Sequence, residues 1–270
     1  MRNRKRAEYS AGGEKEMSLS GHLREMRNRI LVCLVLLAAA VLVSLGYAKE
    51  LVTLLLSLGR EYGYRFVYIA PQELLLQYFS VSLIAGICVT LPMLFYQIWA
   101  FMRPGLKKSE NLFFVSAMIF GLICFCGGVY FAYRIMLPFM LEFLISLSSG
   151  SGVSASVSVQ NYIGFLMTVF IVFGLVFELP VISVLLTQLG ILKVQWMKKG
   201  RKLVIVAIFL IAALITPPDV VSQVLVAVPM VILYELSILL CSIFERLKHR
   251  RGKRKDAEEK KSSCKDAADS

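Results

Sequence analysis

The sequence predicts an all-α membrane protein with six transmembrane helices, both termini cytosolic and the last two helices short. Two observations carry that prediction. First, six apolar runs divide the chain: Ile30–Ala48, Leu74–Trp99, Leu112–Tyr133, Tyr162–Leu186, Leu203–Ile215 and Val220–Phe244. A bilayer-spanning helix needs roughly 20 mostly apolar residues, and five of the six come close to that or exceed it. Second, the charge is one-sided. Six crossings put both termini on one face, which then holds eight Lys/Arg in 1–29, three in 100–111, five in 189–202 and ten in 245–270. Those are 26 of the 30, leaving only Lys49, Arg60, Arg65 and Arg134 opposite. Lys/Arg excess marks the cytoplasmic face.

Composition excludes other classes. A 270-residue chain that is 57% hydrophobic, with a mean hydropathy of +0.70, is unlike a soluble domain. The net charge of +12 hugs the membrane ends, so topology and anionic lipid account for it and nucleic acid does not. Cys33, Cys88, Cys124, Cys126 and Cys241 lie inside apolar runs, where cysteine packs as a small apolar side chain. The only histidines are His22 and His249, so no metal site and no catalytic metal is expected.

The elements follow in order. Residues 1–17 are polar and basic and read as disordered, without a cleavable signal. From Ser18, Leu19, Leu23, Met26 and Ile30 recur at helical spacing, with Arg24, Glu25, Arg27 and Arg29 on other faces. This predicts an amphipathic helix on the cytosolic surface that turns into the first span. The first external segment, Lys49–Glu73, carries aromatics (Tyr62–Tyr68) expected at the interface. The second, Ser146–Ser158, reads as a flexible Ser/Gly loop. The thirteen-residue fifth run covers only about 20 Å at 1.5 Å per residue. Thr216-Pro217-Pro218-Asp219 joins it tightly to the sixth, forming a hairpin. The membrane domain covers 18–245, and the basic tail 246–270 reads as disordered.

Several polar residues stand where they are costly. Glu178 is the only charge in Phe170–Leu186, and an acid near the bilayer centre costs about 2.5–3.5 kcal/mol. Gly174, one turn earlier, makes room for a close neighbour. Pro180 deletes the bond to the Val176 carbonyl and predicts a kink. Glu235 lies nearer the cytosolic end, where it can snorkel. Asp219 fits a helix cap, with Thr216-x-x-Asp219 at capping-box spacing and Pro217 at the first helical position. Gln223 shares its face. Glu25 can pair with Arg29 four residues on. Glu110 suits the positive end of the helix it starts.

Together the segments resemble a family. His22-Leu23-x-Glu25-x-Arg27-x-Arg29, Tyr96-Gln97-x-Trp99-x-Phe101-x-x-Pro104-Gly105-Leu106-x-x-x-Glu110, Phe177-Glu178-x-Pro180 and Thr216-Pro217-Pro218-Asp219-x-x-Ser222-Gln223 are similar to TatC, the multispanning receptor subunit of the twin-arginine protein translocase. Pro71-x-Glu73, the Phe131-x-Tyr133 to Pro138 stretch and Tyr234-Glu235 also fit. Leu75, where the family often has an aromatic, departs from the pattern, as do the Ser/Gly-rich loop and the basic tail.

The resemblance implies a receptor for folded proteins whose signal peptides carry paired arginines, located in a bacterial cytoplasmic (inner) membrane. Glu25, Arg27, Phe101 and Glu110 are implied in signal-peptide binding, and Glu178, Gln223 and Glu235 as intramembrane polar groups that meet single-span TatA and TatB partners. Pro71, Pro104, Pro180, Pro217, Pro218 and Asp219 are implied as structural. Transport driven by the protonmotive force needs no cofactor, and the chain carries no Gly-rich nucleotide loop. A homo-oligomer within the complex is implied as well. A membrane enzyme is not expected: Gly-x-Ser-x-Gly, paired intramembrane Asp and His clusters are missing. A small-solute transporter lacks the internal repeat it would need.

Overall fold

A computed structural model describes the backbone of residues 19–103, 108–148, 156–216 and 219–266, and side chains over 23–103, 111–146, 156–216 and 219–247. Pro104, Pro217, Pro218 and the basic stretch 1–17 lie outside the described residues.

The first helix, α1 (Leu19–Gly46), is continuous. The amphipathic segment and the first apolar run are thus one helix, not two elements joined by a turn: nothing between Gly21 and Gly46 breaks the backbone ladder, and Arg29 anchors the segment to a neighbour. After Tyr47 comes α2 (Ala48–Glu61), whose Val52, Leu55, Leu56 and Gly59 recur at helical spacing and are buried. The strand β1 (Arg65–Val67) then leads to α3 (Glu73–Met102). Here Pro71-x-Glu73 builds a turn. The Glu73 N–H donates to the Ala70 carbonyl at 3.1 Å, and the Ala70 N–H donates to Glu73 Oε1 at 3.2 Å. Glu73 Oε2 accepts the Ser158 hydroxyl at 3.1 Å.

Next, α4 (Lys108–Phe131) passes through a π-helical turn (Ala132–Met136) into α5 (Leu137–Ser148). Pro138 has no N–H for the ordinary helical ladder, which accounts for the local widening. The strand β2 (Ser156–Ser158) runs parallel to β1, with Phe66 opposite Val157. The end of the Ser/Gly segment is therefore ordered backbone, because β1 gives its N–H and C=O groups partners. Helices α6 (Val159–Phe177) and α7 (Leu179–Gln188) form one span broken at Glu178, with Pro180 in the first turn of α7. The last two helices are α8 (Val194–Ile215) and α9 (Val220–Asp266), packed as a hairpin.

Neither of those two is short. The membrane-length part of α9 is Val220–Leu247, and the helix continues to Asp266 where the sequence predicts disorder. The continuation is rich in Lys and Arg, both good helix formers. Among the described residues, five helices are long and apolar enough to cross a membrane: Leu23–Gly46, Glu73–Met102, Asn111–Ser146, Val159–Gln188 and Val220–Leu247. The first half of α8 carries Lys198, Lys199, Arg201 and Lys202 and is too charged to count with them.

Packing orders this bundle. In sequence, α1 lies along α3, which also touches α6; α4 packs on α6, and α9 on α7 and α8. The tightest core, with Leu137, Met140, Val159, Ile163, Leu166 and Phe173 essentially solvent-free, lies away from the basic end. There Tyr64 donates to the Leu141 carbonyl (3.0 Å) and Tyr162 to the Leu55 carbonyl (3.1 Å), while Phe66 tilts against Tyr162 at 4.7 Å. Tyr64 and Phe66 are thus packed into a knot instead of floating at an interface, and only Tyr68 is well exposed. The outer surface is largely apolar, as lipid contact requires.

Candidate functional site

The last turns of α3 gather the basic end together. From α1, the Arg29 guanidinium reaches across to α3. Nη1 donates to Gln97 Oε1 at 3.0 Å, and Nη2 donates to the Ala100 carbonyl at 3.2 Å. The same guanidinium also holds Glu25 one turn back, with Nη2 at 2.6 Å and Nε at 3.0 Å, both on Oε1. Glu25 Oε2 is buried without a hydrogen-bond partner. The acid therefore has one oxygen saturated by a guanidinium and one bare.

From the other side, Trp99 Nε1 donates to Asn111 Oδ1 at 2.8 Å, tying α3 to the start of α4. The Arg103 guanidinium lies 5.3 Å from the Trp99 ring centre. Glu110 precedes Asn111 in the first turn of α4, and its side chain lies outside the described residues. Gln97 to Ala100 thus hold the Glu25 helix on one side and the Glu110 helix on the other. Phe101 is half-buried next to them, and Arg27 is exposed. An apolar groove of about 230 Å³ opens beside Trp99 between α3 and α4, walled by Pro92, Phe95, Met118 and Leu122.

Glu178 occupies the break between α6 and α7, nearly buried, with Oε1 unpartnered. Gly121 on α4 makes its space: a Cβ there would stand 3.0 Å from Glu178 Oε2. Gly174, one turn earlier, admits Phe125 of α4, whose ring would be 2.7 Å from an added Cβ. The neighbour that this glycine accommodates is therefore within the chain.

The α8–α9 polar residues are occupied locally. Asp219 caps α9, its Oδ2 accepting the Ser222 N–H at 2.6 Å. The cap is Asp219, and not Thr216 as the capping-box spacing suggested, because the helix starts at Val220. Gln223 donates to the Phe209 carbonyl at 3.0 Å, closing the hairpin. Glu235 accepts from Arg201 at 2.8 Å.

The family model for Sec-independent protein translocase protein (TatC) matches residues 21–229. The chain belongs to the TatC family. It is 33% identical to a TatC of Desulforapulum autotrophicum, over 93% of this chain and 91% of that protein. It is 35% identical to TatCy of Bacillus subtilis, over 83% and 89%. A crystal structure of a twin-arginine translocase receptor, TatC, superposes with a TM-score of 0.76 at 31% identity, covering 83% of this chain and 99% of that one. The TatC-family chain is thus a multi-pass membrane subunit of the twin-arginine protein translocase.

Sequence reasoning missed the roles of Gln97 and Asn111, which fix the two acidic helices to α3. Both are uncharged polar residues within or beside an apolar run, and that placement was the available signal. Among the described residues no cluster of His, Cys, Asp and Glu suits a metal ion.

Proposed function

We propose that this TatC-family subunit binds twin-arginine signal peptides at the basic end of the bundle, with Glu25 and Glu110 selecting the two guanidinium groups and Arg27 and Phe101 flanking them. Glu25 carries the reading. It accepts two N–H donors from one guanidinium and keeps a second, buried oxygen without a partner. Guanidinium donates as a planar fork that an ammonium cannot copy, so two such acids discriminate Arg from Lys.

Selection is not affinity. Exposed ion pairs contribute about 0–1 kcal/mol each, whereas micromolar binding needs about 8 kcal/mol. The apolar part of the signal supplies the rest by lying against α3 and α4, where the groove beside Trp99 offers an unfilled apolar wall. Glu178 and Gln223 then act on the partner side, with the bare Glu178 oxygen as a polar handle for a single-span TatA- or TatB-type helix. Such contacts are worth about 0.6–2 kcal/mol, enough to bias an assembly that must come apart. The topology proposed is six crossings, counting α8, with both termini in the cytosol of a bacterium. Several copies assemble in the complex, and the protonmotive force drives export.

The test is binding of a fluorescent signal peptide to the full-length chain in nanodiscs. An Arg-Arg peptide should bind at least tenfold tighter than its Lys-Lys counterpart, and Glu25→Gln with Glu110→Gln should erase that ratio. Equal binding of the two peptides by the unaltered chain refutes the reading.

A further inference from the structure

The cleft between α8 and α9 at the basic end is lined by residues that have none of the roles above, apart from Glu235, which the resemblance counts among the groups that meet partner helices. Its volume is about 600 Å³, and its walls differ in kind. On α9, Ile232, Leu236, Leu239 and Ile243 recur at spacings of 4, 3 and 4, so they form one stripe. All four are exposed, at 61%, 41%, 56% and 45%, on a helix of membrane-spanning length. Three residues beyond Ile243 on the same face stands Arg246, at the end of that span. The facing wall, on α8, presents Lys198 and Arg201, three residues apart.

Charge in the cleft is unbalanced. Glu235 holds Arg201 at 2.8 Å, with side-chain exposures of 39% and 46%. Among the described residues, neither Lys198 nor Arg246 has an ion pair. Three cations face one carboxylate, directly above an apolar stripe that no other described element covers.

We propose that this cleft binds the headgroup of an anionic phospholipid. The phosphodiester sits between Lys198 and Arg246, and the acyl chains run down the Ile232–Ile243 stripe. The inference goes beyond signal recognition and requires only that the chain spans a bilayer. The apolar stripe argues for a lipid over a free phosphate, which would have no use for it. The cation excess argues for an anionic headgroup over a zwitterionic one, whose ammonium would have to sit among Lys198, Arg201 and Arg246. Basic pockets between membrane helices suit such headgroups in general. Glu235 tunes the site by neutralising Arg201 and fixing its position.

The chain carries its own reporter. It has two tryptophans, and Trp196, exposed, stands two residues before Lys198. Trp99→Phe leaves Trp196 as the sole fluorophore. The full-length W99F chain is placed in phosphatidylcholine nanodiscs, and a small fraction of brominated phosphatidylglycerol or brominated phosphatidylcholine is titrated in. Each cation near a membrane surface contributes about fivefold to anionic-lipid affinity, or about 1 kcal/mol. Trp196 quenching should therefore favour the glycerol lipid by about tenfold or more. Lys198→Gln with Arg246→Gln should reduce the preference to about twofold or less, and Glu235→Gln should increase it. Lys260→Gln with Lys261→Gln, fourteen and fifteen residues beyond Arg246 along the backbone of α9, should leave it unchanged, and free glycerol phosphate should not reverse the quenching. Equal quenching by the two lipids overturns the proposal. So does preference that survives loss of Lys198 and Arg246, preference that falls equally with the tail pair, or reversal by glycerol phosphate. Unchanged helical circular dichroism in each variant excludes misfolding as the cause.

Discussion

Among the described residues, Arg29 makes more of the basic end's hydrogen bonds than any other side chain, and its removal has a size that can be worked out. Arg29→Ala deletes four hydrogen bonds: two to Glu25 Oε1, one to Gln97 and one to the Ala100 carbonyl. Both Glu25 oxygens are then bare, since Oε2 has no partner to begin with. The two side chains are 26% and 23% exposed, between the surface and buried regimes. Exposed pairs are worth about 0–1 kcal/mol, and breaking a buried pair costs about 3–5 kcal/mol. A loss of about 2 kcal/mol follows. At about 2–4 °C per kcal/mol for a chain of this size, Tm in detergent falls by about 4–8 °C. Much of that loss is the stranded carboxylate, so adding Glu25→Gln to Arg29→Ala should cost almost nothing further. The double-mutant cycle should give a coupling of about 1–2 kcal/mol. Single losses that add to within about 0.5 kcal/mol would refute the reasoning, because the pair would then be a bystander.

Other consequences are as specific. Gly59→Val should unfold the knot at the opposite end, since an added Cβ would stand 2.6 Å from Phe66 Cζ and 2.8 Å from the Tyr162 hydroxyl; the expected cost of about 1–3 kcal/mol is read by thermal unfolding. Burial pushes the Tyr64 phenol above its usual 10.0, so its stabilisation is intact below that pH and is lost as pH rises through the folded-state value. Tyr64→Phe should cost about 1 kcal/mol at neutral pH and should flatten the alkaline loss in a pH series of unfolding midpoints. Glu178→Ala should weaken crosslinking to a single-span partner about threefold to thirtyfold while leaving signal-peptide affinity unchanged; the reverse pattern would overturn the assignment of Glu178 to the partner side.

What could be read from the sequence was what depends on composition and short spacing. The apolar runs announced the long helices because burial in lipid demands length and hydropathy together. Pro180 announced the break at Glu178, and Glu25 with Arg29 announced their own pair at four-residue spacing. Several of the misses share one cause, which is that they depend on partners elsewhere in the chain. Helix α2 reads as an external connection until Tyr162, over 100 residues away, bonds the Leu55 carbonyl. Ser156–Ser158 reads as loop until β1 offers it a ladder. Gln97 and Asn111 are unremarkable until Arg29 and Trp99 reach them. Counting α8 from its apolar run alone also left its basic first half, tallied in 189–202, outside the helix, where Lys198 and Arg201 line the cleft.

The packing of α1 gives the Glu25 site its mechanical meaning. Among its described residues only Ser44 is buried, and its main neighbour is α3. One attachment is a close backbone approach: at Gly86 a Cβ would lie 2.6 Å from Val41 Cγ2 and 3.0 Å from the Val41 nitrogen. A second is the Arg29 contact with Gln97 and Ala100, about twelve residues and some 18 Å along the helix at 1.5 Å per residue. Deep core contacts, which fix the rest of the bundle, contribute little to this helix. A guanidinium arriving at Glu25 meets an acid whose other oxygen is engaged by the residue that pins α1 to α3. If it takes only the bare oxygen, α1 stays in place. If it displaces Arg29, it releases the polar anchor that joins α1 to the end of α3. On the proposed binding at Glu25, occupancy of the acid and the seating of α1 are linked through a single side chain, and Arg29→Ala removes the link while Arg29→Lys keeps the charge and loses the fork.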